Sequence, residues 1–226
     1  RCPGGGFPAE VAEVARRTGY PICADPLSGL RFGPHVADAP ILGGYEGYLN
    51  GDPGWPAPQI VLRFGAVPTS KWLNEYLDRT APARQIHLRA DGVWSDDSHR
   101  VTDYIQADEV AVCHALAEKI DRGSTAWTET LLATEAAYWQ RVRPALAEEF
   151  FDAAALAAVV DALPDGANLV AGNSLPIRHL DQFVRPQAKD LRLFGNRGAS
   201  GIDGVVSTAL GVAAADPSRP TVLLIG

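Results

Sequence analysis

The sequence contains no methionine, and of its 20 basic residues only Lys71, Lys119 and Lys189 are lysines. Its three cysteines, Cys2, Cys23 and Cys113, are odd in number and far apart. No CxxC pair or His/Cys cluster accompanies them, which argues against a zinc site and a disulfide framework. A reducing, cytoplasmic compartment is the expectation. Positive charge is scarce: 27 acidic against 20 basic residues leave a net charge of −7 with no basic run, so no nucleic-acid partner is expected. No apolar run approaches the roughly 20 residues of a membrane span. The opening "RCPGGG" is polar and glycine-rich, unlike a signal peptide. The chain starts at Arg1 and ends on "PTVLLIG", a strand-like run plus one turn residue, so a piece of a longer protein is expected. His35, His87, His99, His114 and His179 make no HxxxH or HExxH pattern, and surface or core roles are expected for them. Neither a GxSxG elbow nor a Walker loop occurs.

What is present is an ordinary globular composition, 226 residues of which 46% are hydrophobic, enough for one large domain or two small ones. Helical and strand-like runs alternate. "FPAEVAEVARRT" has an apolar face at Val11, Val14 and Ala15 with Gly19 just past its end. "QIVLRFG" reads as a buried strand, and "PTSKWLNEYLDRT" as a helix capped by Thr69 or Ser70 with an apolar stripe at Trp72, Leu73, Tyr76 and Leu77. "RQIHLRA" is the next strand and "DEVAVCHALAEKI" the next helix, closing on "DRGST". A long helical stretch follows from Thr125, with a break expected at Pro144. Then come the helix "FDAAALAAVVDALP", the strand "GANLVAGNS", the helix "LPIRHLDQFV" with Pro176 in its first turn, the strand "LRLFG", the helix "DGVVSTALGVAAAD" and the buried strand "TVLLIG". Such alternation implies α/β architecture with doubly wound parallel sheets. The boundary is placed at "DRGST", giving domains 1–124 and 125–226. In parallel sheets ligands sit at the carboxyl ends of strands, so the loops after "NLVAG", "LRLFG" and "TVLLIG" are expected side by side.

Four stretches could carry chemistry. In "GNSLPIR", Asn173 and Ser174 end a strand, and Arg178 lies one helical turn beyond Ser174. A hydroxyl and a guanidinium so placed suit a carboxylate; alternatively Ser174 is only the helix N-cap and Arg178 is solvated. "FGNRGASGID" carries Gly195, Gly198 and Gly201 between a strand and a helix, where backbone N–H groups can meet an anion, or where a tight turn simply needs room. Its Arg197 would neighbour "GNSLPIR", and two arginines there would suit a substrate with more than one acidic group. Asp203 could cap the following helix. Lys71 opens the helix of "FGAVPTSKWL", where a cation is either solvated or recruited to bind an anion. Finally, "GGGFPAEV" with Asp25 some twenty residues on resembles a dinucleotide fingerprint, but the GxGxxG spacing fails.

"GNSLPIR" followed by "GNRGASGIDGVVSTALGVA" resembles the thiamine-diphosphate-dependent 2-succinyl-5-enolpyruvyl-6-hydroxy-3-cyclohexene-1-carboxylate synthase family of menaquinone biosynthesis. "ADPLSGLR" and "FGAVPTSKWL" match its middle domain in kind and order. The resemblance implies a Rossmann-like middle domain at 1–124 and the N-terminal part of a diphosphate-binding domain at 125–226. It further implies a transferase that decarboxylates 2-oxoglutarate and adds the succinyl carbanion to isochorismate, with thiamine diphosphate and Mg2+ or Mn2+ as cofactors, working as a homo-dimer or homo-tetramer. Lys71, Asn173, Ser174, Arg178 and Arg197 would bind substrate carboxylates, while Ser200, Gly201 and Ile202 would meet the cofactor, Ile202 lying under its bent form. The family's activating glutamate precedes this stretch, and Gly226 would open its Gly-Asp metal motif. The 226 residues alone are therefore expected to lack metal ligands and turnover. Alternatives are another thiamine-diphosphate enzyme, of acetohydroxyacid synthase or 2-oxoacid decarboxylase type, or a nucleotide-binding regulatory module over 1–124. The leading reading expects Lys71, Arg178 and Arg197 to converge on one acid-recognising cavity.

Overall fold

The computed structural model describes residues 5–120 and 123–226. The boundary placed at "DRGST" falls partly on Asp121 and Arg122, outside the described residues, as does Cys2. Helix α1 (Phe7–Thr18) has Pro8 in its first turn and stops where Gly19 takes φ 71°, its N–H returning to Ala15 O at 2.9 Å. That left-handed C-cap favours glycine. Two-residue strands β1 (Ile22–Cys23) and β2 (Ile41–Leu42) pair in parallel. The region "ILGGYEGYLN" holds both a strand and a helix, since the single turn α2 (Tyr45–Tyr48) follows β2. Adjacent residues of β2 serve opposite faces, as strand geometry dictates. Ile41 packs with α1, Leu30 and Cys113, whereas Leu42 packs with Tyr45, Trp55, Leu73 and Leu131.

A second parallel sheet runs in the order β3-β4-β5, with β3 at Ile60–Phe64, β4 at Arg84–Leu88 and β5 at Asp103–Ile105. Between its first two strands lies α3 (Lys71–Thr80), N-capped by Ser70, whose Oγ accepts the Leu73 N–H at 3.0 Å. α4 (Glu109–Lys119) follows β5 and packs on α1. Two expectations change here. β3 is half-buried rather than buried, with Ile60 exposed. β5 has no counterpart in the sequence reading: three residues are too few to show a period, and it is held by pairing with β4 and by the Arg84–Asp103 ion pair at 2.8 Å.

α5 (Ala126–Glu148) runs straight through Pro144, so the expected break does not occur. Proline costs one i→i−4 bond, and here it falls in the last turns of a long helix that a Thr125–Thr128 capping box and the buried Leu131 and Trp139 already secure. Then come α6 (Asp152–Ala162), β6 (Ala167–Ala171), α7 (Leu175–Phe183), β7 (Leu191–Gly195), α8 (Val205–Ala215) and β8 (Thr221–Leu224). The third sheet has the order β7-β6-β8, all parallel. β6 is central and wholly buried, whereas β8, expected to be buried, is only half so because it is an edge strand here. Its core joins Leu156, Val160, Leu169, Ile177, Leu180 and Leu193 to Phe32 from the N-terminal half. The chain is thus α/β with parallel sheets, as its alternation implies. No described helix is long and apolar enough to cross a membrane.

Candidate anion-recognition edge

The strand order β7-β6-β8 brings the three expected loops to one edge. The Gly172 N–H after β6 donates to Leu224 O at the end of β8, at 2.7 Å. A Cβ on Gly195, at the end of β7, would lie 3.5 Å from Ala171 O of β6. One hydrogen bond then joins the two motif loops: Asn173 Nδ2 donates to Gly201 O at 3.0 Å.

Ser174 precedes α7 with φ 70° and ψ −126°, and its hydroxyl makes no capping bond. A non-glycine residue held there stores strain of about 1–3 kcal/mol. The reading of Ser174 as a capping side chain is therefore not what the fold uses it for. Arg178 is exposed one turn on, while its neighbours Ile177, Leu180 and Asp181 are buried. Arg197 is exposed in the second loop, its carbonyl accepting the Ser200 Oγ–H at 3.2 Å. Among the described residues neither guanidinium has a carboxylate partner. Asn196 Nδ2 is turned to Thr208 Oγ1 at 3.1 Å, bracing the loop on α8. Asp203 does not cap α8; Gly204, at φ 78°, occupies the N-cap with no side-chain bond, so the turn is made by glycine geometry instead.

Lys71 stands apart from these groups. It is 68% exposed, pairs with Glu75 at 3.5 Å and lies over the Trp72 ring at 4.7 Å. One cavity of about 100 Å³ is lined by Arg63, Pro68, Asn74 and Gln85, and another of about 510 Å³ by Asn168, Arg192, Phe194 and Thr208. Neither is lined by Lys71, Ser174, Arg178 or Arg197. The structure thus joins the two arginine-bearing loops by a hydrogen bond, whereas the interactions of Lys71 are with Glu75 and Trp72 of its own helix.

Asp25 is already engaged: Oδ1 accepts the Leu27 N–H at 2.8 Å and Oδ2 the Thr69 N–H at 2.7 Å. His87 is a core histidine, its Nε2 2.7 Å from Gly65 O and its pKa lowered first by burial, which the backbone bond partly offsets. Cys23 is a half-buried free thiol, and Cys113 is buried in the core against α1. No group of three or more His, Cys, Asp or Glu able to hold a metal occurs among the described residues.

Sequence reasoning missed two buried acid hubs. Arg31 and Asp181, each 1% exposed in its side chain, form an ion pair across 150 residues of sequence. Burial pushes the Asp181 carboxyl up, to about 7, against the downward pull of Arg31. Burial also opposes the Arg31 charge, but Asp181, Tyr45 and Asp25 together more than offset it and hold the guanidinium pKa above its ordinary value. Glu135 accepts the Gly43 N–H at 2.8 Å, the Tyr48 hydroxyl at 2.8 Å and the Trp139 indole N–H at 2.6 Å. Only the burial of a charged residue type gives such hubs away, and a single sequence does not display burial.

The fold and this edge define a parallel α/β protein with a glycine-rich, arginine-bearing rim at its strand ends. No family model matches the chain. It is 50% identical over 228 residues to the 2-succinyl-5-enolpyruvyl-6-hydroxy-3-cyclohexene-1-carboxylate synthase of Roseiflexus castenholzii, covering 100% of this chain and 38% of the relative. The enzymes of that name from Roseiflexus sp. strain RS-1 and Halobacterium salinarum are 53% and 48% identical, over 100% and 97% of this chain and 38% and 37% of theirs. The resemblance first carried by two motifs therefore extends over the whole chain, which spans about 38% of the length of these curated relatives.

Proposed function

We propose that the chain is the middle stretch of a thiamine-diphosphate-dependent synthase that transfers a succinyl unit from 2-oxoglutarate to isochorismate. Residues 1–124 would form its middle domain and 125–226 the first part of its diphosphate-binding domain. The observation that carries this is the strained Ser174, its hydroxyl making no capping bond, beside the exposed Arg178, on a loop bonded through Asn173 to the loop of Arg197. Both substrates are polyanionic, and such an edge is suited to their carboxylates. Arg178 and Ser174 would grip one carboxylate at the start of α7, where free N–H groups and the helix dipole favour negative charge. Arg197 would hold a second acidic group across the Asn173–Gly201 bond. Lys71 would reach the same substrates only by leaving Glu75.

The fit to the cofactor is partial. Ile202 is 82% exposed, and Val206 and Leu210 continue an uncovered apolar strip along α8. A Cβ on Gly198, Gly201 or Gly204 would meet nothing within 4 Å. Ser200, Gly201 and Ile202 therefore offer a bare surface on which a ring could lie. Thiamine diphosphate would supply the electron sink for decarboxylation. Mg2+ or Mn2+ ligands are assigned to no residue of this chain. A cytoplasmic homo-dimer or homo-tetramer is the assembly we infer.

The test uses a full-length protein containing these 226 residues, assayed with 2-oxoglutarate and isochorismate, with and without thiamine diphosphate. Cofactor-dependent consumption of both is expected, and its absence ends the proposal. Arg178→Ala or Arg197→Ala should raise KM about tenfold or more, as loss of a charged hydrogen bond worth roughly 1.5–3 kcal/mol requires. An unchanged KM would favour a thiamine-diphosphate enzyme with an apolar donor.

A further inference from the structure

The residues proposed to meet substrate sit on elements of two different sheets, and something must hold those elements in one frame. The stretch between β1 and β2 touches all of them. At its start the Asp25 carboxylate spans two backbone amides, Leu27 N–H and Thr69 N–H, at 2.8 and 2.7 Å. Thr69 directly precedes Ser70, the N-cap of the helix that begins with Lys71. In the middle, Leu27 packs on the core of the third sheet, and its Cδ1 would be 3.1 Å from a Cβ on Gly195, two residues before Arg197. At the end, Arg31 spreads its donors over Ala24 O at 2.6 Å, Asp181 O at 3.1 Å, Val184 O at 3.2 Å, Leu180 O at 3.3 Å and the Asp181 carboxylate. The Leu180, Asp181 and Val184 carbonyls lie at the C-terminal end of α7, whose other end carries Ser174 and Arg178. Beyond it, Gln187 N–H donates to Arg31 O at 2.9 Å and Gly33 N–H to Gln187 O at 3.2 Å, locking the same stretch to the chain leaving α7.

We propose that Asp25–Arg31 is the positioning device of the anion-recognition edge, with Asp25 and Arg31 as its positioning residues. The inference rests on the reading of that edge given above. Asp25 fixes where the Lys71 helix begins. Leu27 fills the space that Gly195 leaves at the root of the Arg197 loop. Arg31 fixes the axial position of α7, because a planar fork that binds three helix-end carbonyls and one carboxylate tolerates little sliding. A shift of α7 by a fraction of a turn would move Arg178 with it and misalign the charged hydrogen bonds it offers a carboxylate. None of the three residues need touch substrate.

The experiment uses the full-length protein containing these residues and three variants: Asp25→Ala, Asp25→Asn and Arg31→Lys. Amide hydrogen exchange reads the clamp itself, and KM against kcat for 2-oxoglutarate and isochorismate reads its effect on the edge. Asp25→Ala should speed exchange at Thr69 and raise KM, each about tenfold as one lost charged hydrogen bond implies, with kcat within about threefold. Asp25→Asn keeps one accepting oxygen and should recover part of both changes. Arg31→Lys keeps the charge but loses the fork. It should speed exchange of the amides around residues 180–187 and raise KM without abolishing folding. Faster exchange with an unchanged KM would reduce the clamp to a structural role and overturn the proposal, as would unchanged exchange at Thr69. If Arg178→Ala and Arg197→Ala themselves leave KM alone, it is the reading of the edge that falls, so the two failures are told apart.

Discussion

The two ends of α7 meet arginine in opposite ways. At the C-terminal end Arg31 is enclosed, each of its three nitrogens donating to a carbonyl or to the Asp181 carboxylate. At the N-terminal end Arg178 is exposed and has no carboxylate partner among the described residues, beside a serine whose backbone is strained and whose hydroxyl makes no capping bond. Helix ends in a finished structural core are capped and paired. A charge that builds structure is buried and bonded, whereas, on the proposed function, a charge kept for a ligand stays bare until the ligand arrives. By that contrast one helix is anchored at one end and offered at the other.

The anchored end should yield the largest effect. Arg31→Ala would strand the Asp181 carboxylate inside the protein. Breaking a buried pair from one side typically costs about 3–5 kcal/mol, so chemical denaturation should show a loss of that order. A loss below about 1 kcal/mol, the range of an exposed pair, would break the comparison. The same pair predicts a pH dependence. Because burial raises Asp181 in the fold to about 7 from 3.8, its favourable contribution is complete below pH 3.8 and is lost as pH rises through about 7. This follows because the folded state binds the extra proton. The stability advantage of the parent over Asp181→Asn should therefore shrink across that window, and a constant difference would show that Asp181 does not titrate there.

The offered end should give a smaller change of opposite sign. Ser174→Gly removes the Cβ that disfavours φ 70° and should raise stability by about 1 kcal/mol. It should also weaken binding of the acidic substrates by removing a hydroxyl. A loss of stability would mean that the hydroxyl is used by the fold after all.

How far these two ends were legible in the sequence differs for a physical reason. The helix around "LPIRHLDQFV" follows from its period and its early proline, and the meeting of three loops at one edge follows from parallel strand order. Both are local or topological rules. Arg31 gives no such sign: in "SGLRFGPH" it reads as one arginine in a loop, and its partner lies 150 positions on. β5 escaped because three residues cannot display a period, and Pro144 misled because helix propensity is overruled by packing upstream of it. The strain at Ser174 is invisible too, since serine before a helix ordinarily signals a cap. Sequence nominates residues for a ligand by type and spacing, but does not display the distant contacts that hold their elements in place.

The smallest effect on the fold is expected at Ile202. Being 82% exposed, it should lose under about 0.5 kcal/mol when changed to serine, as other surface positions do. If a ring of thiamine diphosphate lies on it, Ile202→Ser should nevertheless reduce the rise in melting temperature that the cofactor gives the full-length protein, because binding stabilises by mass action in proportion to affinity. A melting curve without cofactor that matches the parent, together with a weaker response to it, would place Ile202 with the offered end. A drop in the cofactor-free curve would place it with the anchored one, since only a residue the fold already uses can lower stability when no ligand is present.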